Sequence, residues 1–186
     1  MKVKAQGLLN AAKYIEETYG RNALGEVLRA CSPAVRETYT SSIAINWHEL
    51  EELCEFVDVA SAKLGDGGSS MAEAIGAAGA RANLKGVLNR VAFYAAKPTF
   101  LMTRVASMWS QFNDEGSMTV VEMTGERATL EVKGVKQPRA TFCNVLTGWA
   151  MEVTRGMGAE GVSARHPHCR ARGGTRCIWE VTAKKL

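Results

Sequence analysis

The chain of 186 residues has no apolar run near the ~18 residues that a membrane-spanning helix requires. It also lacks a charged start followed by an apolar stretch and a small-residue cleavage site, so the expectation is a soluble, cytoplasmic protein. Cysteines number only five, an odd count, and Cys31 and Cys54 fall in helical patterns. A secreted disulfide framework is thereby excluded and reduced thiols are expected. No Ser-His-Asp grouping, no His-Glu-x-x-His motif and no dinucleotide glycine fingerprint occurs, and no lysine and serine follow Asp66 as a Walker loop demands. The chain is therefore read as non-enzymatic. His48 with Glu49 and Glu52 reads as a polar first helical turn, because the histidine has no catalytic companion. Repeats and low-complexity linkers are missing too, so residues 1–186 are expected to form a single domain, which at this size buries roughly 70% of its unfolded surface.

Charge is modest at +4 but unevenly placed. Residues 161–186 hold Arg165, Arg170, Arg172, Arg176, Lys184 and Lys185 against Glu180 alone. A solvated face explains such a segment best, and nucleic-acid binding is not expected.

Hydrophobic periodicity divides the chain in two. Leu8, Leu9, Ala12, Ile15 and Tyr19 recur at helical spacing up to Gly20; Leu24, Val27, Leu28 and Cys31 line a second helix; Ser32-Pro33 opens a third. Asn46 and Glu49 resemble a capping box ahead of an apolar face running from Leu50 to Leu64. Further helices are expected from Ser70, over 85–95 and over 100–112, and the run Ile75-Gly76-Ala77-Ala78-Gly79 permits close helix packing. From Ser117 the period becomes two. A hairpin about Thr124-Gly125-Glu126 precedes a helix over 140–156, and two more strand-like runs flank Arg170 to Arg176. The predicted class is α/β (α+β), with a helical layer on a four-stranded antiparallel sheet in β-β-α-β-β order.

Within that half, Cys143, His166 or His168, Cys169 and Cys177 are potential soft ligands. Three thiolates and an imidazole suit tetrahedral zinc with no open position, but the spacing fits ordinary cysteines or a redox pair as well. Strand alternation puts His166 and His168 on one face and Cys169 on the other, so a joint ligand set needs a kink near Pro167.

The pattern Cys143, then His166-Pro167-His168-Cys169, Gly173 and Cys177 resembles the zinc-bearing 4-vinyl-reductase domain, the effector-sensing part of bacterial phenol-responsive activators, whose fold is shared with transport-particle (TRAPP) subunits. This likeness covers residues 118–181. The segments Trp47-His48-Glu49-Leu50-Glu51-Glu52-Leu53 and Leu64-Gly65-Asp66-Gly67 are similar to a myxobacterial paralogous family of uncharacterised proteins. The resemblance implies a TRAPP-like homodimer with a structural zinc on Cys143, His166, Cys169 and Cys177, His166 standing where the phenol sensors have a glutamate. It also implies a small apolar or aromatic ligand. Phe93, Tyr94, Phe100, Met102, Met108 and Trp109 would supply plain core or an adaptable apolar pocket, closed by Trp149 or Met151. The leading expectation is a ligand-binding sensor or carrier domain in signalling, with zinc as cofactor. A dimeric scaffold for a protein partner, without ligand and with a filled interior, is the alternative.

Overall fold

A computed structural model describes residues 1–65, 67–84 and 107–184. Three short helices follow the sequence periodicity: α1 (Gln6–Tyr19), α2 (Arg21–Ala30) and α3 (Pro33–Ser41). Gly20, at φ 90°, ends α1, and the Ser32 side chain accepts from the Val35 N–H to cap α3, with Pro33 in the first turn. Leu8, Ile15, Val27 and Val35 are buried and knit the three together.

One expectation changes at Asn46. Residues Lys2–Lys4 (β1) and Trp47–Glu49 (β2) pair antiparallel, Val3 opposite His48, so the backbone that a capping box would have made helical is extended. Helix α4 (Leu50–Leu64) starts after Glu49 and buries Leu50, Leu53, Cys54, Phe56, Val57 and Ala60 on one face. His48 sits behind this start, its Nδ1 2.9 Å from Thr38 Oγ1 and its Nε2 2.9 Å from Ser42 Oγ, while Thr38 also donates to Glu52. The group ties α3 to α4. Helix α5 (Ser70–Leu84) follows. Asp66, the helix expected over 85–95 and most of that over 100–112 lie outside the described residues, of which 107–112 are helical.

The second half matches its predicted order: β3 (Ser117–Met123), β4 (Arg127–Lys133), α6 (Ala140–Gly156), β5 (Ser163–His168) and β6 (Cys177–Thr182). The strands form one antiparallel sheet, β3-β4-β6-β5. Its inner face presents Met118, Val120, Leu130, Val132, Trp179 and Val181 to α6, all buried. The outer face carries ion pairs, Arg165 to Glu180 and Arg176 to Glu131.

Helix α6 lies between that sheet and α5, and glycine makes the contact. A Cβ at Gly76 would overlap the Val145 carbonyl, and one at Gly148 the Glu73 carbonyl, so the two backbones touch where neither residue carries a side chain. By contrast, a Cβ at Gly79 meets nothing within 4 Å. Gly148→Ala should cost about 1–3 kcal/mol or more of unfolding free energy in urea titration. Gly79→Ala should instead gain about 0.5–1 kcal/mol by lowering unfolded-chain freedom. Equal responses of the two variants would mean that the close contact is absent in solution.

Candidate functional site

Two features flank α6. On the side of the helical layer lies an apolar cavity of about 120 Å³, walled among the described residues by Ile75 and Gly79 of α5, Trp109, Met118, and Leu146 and Trp149 of α6. Gly7 and Asn10 of α1 close it from the N-terminal side. Of its polar residues, Gln6 Nε2 donates to Asn10 Oδ1 at 3.0 Å, Asn113 Nδ2 to the Trp109 carbonyl at 3.0 Å, and Lys4 Nζ to the Ile45 carbonyl; Asn83 also borders it. Trp109 is fixed from both sides, its N–H donating to Glu115 O at 3.0 Å and its ring lying 6.2 Å from that of Phe142. Of the pocket residues expected from sequence, Trp109 and Trp149 line this cavity, as does Met108; Met151 is not among its walls. Phe93, Tyr94, Phe100 and Met102 lie outside the described residues. The sequence reading missed the walls from α1 and α5. Its one signal for them was the glycine spacing at Gly76 and Gly79.

The other feature gathers the soft side chains. Ligand atoms of Cys143, His166 and Cys177 lie within 4.8 Å of one another, and Cys169 Sγ is 3.9 Å from Cys143 Sγ. Such a set could hold a metal ion. A register shift between Arg165 and His168 supplies the kink that the alternation argument required, and it selects His166 over the exposed His168. The His166 ring stacks on Trp179 with centroids 3.9 Å apart and planes 5° from parallel. Neither of its nitrogens makes a well-formed hydrogen bond. Trp179 in turn donates to Thr147 Oγ1 at 3.0 Å, which anchors the hairpin to α6. Burial, and then the neighbouring Cys169 and Cys177, push the Cys143 thiol up, so without an ion the Cys143 sulfur is protonated.

The arginines of the basic C-terminal segment are engaged with partners outside this group. Arg170 donates to Val135 O at 2.6 Å, Arg172 to Asn144 Oδ1 at 2.6 Å, Arg165 to Glu180 and Arg176 to Glu131. They serve as struts of the hairpin and the sheet.

No protein-family model and no curated protein matches the sequence. Solved structures do match in fold. An Fe(II) H-NOX protein from S. oneidensis superposes with a TM-score of 0.68 at 11% identity, covering 98% of this chain and 96% of that one. An unliganded Fe(II) H-NOX mutant from K. algicida gives 0.69 at 11%, covering 98% and 97%. An oxygen-binding H-NOX domain related to soluble guanylate cyclases gives 0.64 at 12%, covering 95% and 92%. The fold is therefore that of H-NOX domains. This corrects the 4-vinyl-reductase and TRAPP likeness, which rested on the hairpin spacing of residues 118–181 while the helices preceding it set the architecture. Zinc as cofactor, assigned to Cys143, His166, Cys169 and Cys177, is corrected by the same neighbours, which are described by Fe(II) states and by heme redox potential. The spacing reported a local convergence of side chains and not the cofactor chemistry associated with the fold.

Among the described residues, the cavity presents no histidine or cysteine to a heme. Heme iron is held by a proximal histidine or thiolate in most protein classes, yet none of the three histidines and five cysteines of the chain lines the cavity. A comparable engineered void of ~150 Å³ accommodates a benzene ring, far less than a macrocycle of four pyrroles.

Burial, with a smaller contribution from the Arg172 charge, lowers the His166 imidazole from 6.5 to about 4. Between those values the unfolded chain carries a proton at this ring that the folded chain refuses, so unfolding takes up protons and stability falls with falling pH across that window. In chelator-treated protein, His166→Phe keeps a ring against Trp179 and should flatten the loss of melting temperature between pH 6.5 and about 4. An unchanged pH slope in the variant would place His166 in water.

Proposed function

We propose that residues 1–186 form a non-enzymatic sensor domain of H-NOX fold that takes a small apolar molecule directly into the cavity beside α6, without heme. The observation that carries this reading is a cavity of about 120 Å³ whose lining is mostly apolar, with Lys4, Gln6, Asn10, Asn83 and Asn113 as its polar members among the described residues. A mostly apolar space of this volume favours a guest of diatomic to single-ring size, which gains dispersion contacts there. The same void weighs against the scaffold reading, which expected a filled interior. Trp109 and Trp149 serve as walls of the binding site. Cys143, His166, Cys169 and Cys177 serve as a clasp joining α6 to the second hairpin, able to take a soft ion and separate from the ligand cavity.

Benzene and xenon are suitable probes. Each should raise the melting temperature of the protein in a concentration-dependent way, by linkage to the folded state alone. Gly79→Leu, which grows a side chain into the void from an uncrowded helical position, should abolish the response while preserving or raising the unliganded melting temperature. If both probes leave wild type and variant unaffected, the cavity binds no apolar guest and the sensor reading fails.

A further inference from the structure

Beneath the sheet lies a second, smaller apolar cavity of about 40 Å³, lined by Val120 and Leu130 from the strands and by Val153 and Met157 from α6. Among the described residues, Trp149 alone lines both voids. The two follow one another along the same interface. On α6, Val145 and Leu146 face the larger cavity, and Ala150 and Val153, past Trp149, face the smaller; on β3, Met118 belongs to the larger and Val120, the next inward residue, to the smaller. The indole is therefore the partition between them.

Its surroundings differ from those of Trp109 and Trp179. Trp109 and Trp179 are held by hydrogen bonds from their ring N–H groups, whereas among the described residues the Trp149 ring N–H has no such bond. Trp149 is half-buried and kept in place by packing alone, against Ala80 and Val153.

We infer that Trp149 is the residue that sets the upper size of the ligand, holding the larger cavity to single-ring guests by closing it off from the space under the sheet. The inference rests on the ligand reading above. Replacing the indole by a smaller apolar side chain joins the two voids and adds the volume of the indole itself, which creates room for a fused bicyclic guest.

The experiment compares benzene with naphthalene by isothermal titration on wild type, Trp149→Ala and Trp149→Leu, with circular dichroism reporting the fold of each. Leucine retains apolar contact should alanine fail to fold. Wild type is expected to bind benzene and reject naphthalene, and the opened variants to bind naphthalene about tenfold or more tighter than wild type does. Wild type that binds both guests alike, or folded variants that keep the wild-type preference, would overturn the assignment of Trp149 while leaving the cavity as a ligand site. If neither guest binds any of the three proteins, the ligand reading falls and this one with it.

Discussion

The backbone contact between α5 and α6 through Gly76 and Gly148 is the constraint on which the rest of the molecule depends. Helices that touch at the level of their carbonyl oxygens must diverge on either side of the crossing, because side chains two or three residues away restore the normal separation. The wedge so opened is occupied by Ile75, Leu146 and Trp149, and Gly79 leaves part of it unfilled. A cavity at this place is thus a consequence of how the helices cross. The same contact fixes the rotation of α6, turning Thr147 towards Trp179 of the sheet.

That rotation gives α6 two chemistries. Phe142 borders the apolar void, while the adjacent Cys143 turns into the sulfur and imidazole group, so consecutive residues near the start of one helix serve separate sites. The hairpin half of that group is held by arginines that reach the Val135 carbonyl and the Asn144 side chain, contacts that position the Cys169 backbone before any question of an ion arises. Glu131, buried on the outer face of the sheet, is held below the usual carboxylate range by the hydrogen bond from Arg176, with Lys133 adding to it. Of the positive segment near the C-terminus, Arg165 and Arg176 pair with carboxylates, whereas Arg170 and Arg172 reach neutral oxygens.

Much of this was legible in the chain. The change of period at Ser117, the hairpin at Thr124 and the helix ending at Gly156 were read from alternation and turn residues, and the convergence of Cys143, His166, Cys169 and Cys177 from spacing and a kink near Pro167. What failed has identifiable causes. Strands of three residues such as Lys2–Lys4 and Trp47–Glu49 carry no periodic signal, and pairing over more than forty positions overrode the cap that Asn46 offered. The family assignment failed because a hairpin-helix-hairpin with clustered cysteines is a local arrangement that different folds can contain. The feature separating them, the packing of the preceding helical layer on α6 through α5 and α4, is a tertiary fact. The cavity was half legible for the same reason: aromatic residues announced apolar bulk, but only the glycine contact determines where it is incomplete.

Fold and chemistry part company at this point. A superposition over nearly the whole length at 11% identity places the backbone among H-NOX domains and leaves the side chains open. What a binding site accepts is decided by the groups that reach it, and among the described residues those are mainly aliphatic, aromatic, methionine and glycine residues, with Lys4 and a few amides. Among the described residues, a site of that composition offers shape and volume, with no histidine or cysteine in its walls. Its selectivity must then come from the hardness of its walls. Most of these walls are pinned, Trp109 by Glu115 and Phe142, and the two helices by their glycine contact. Trp149 is held by packing alone, so the wall least fixed by polar contacts is also the one that separates the ligand space from the underside of the sheet.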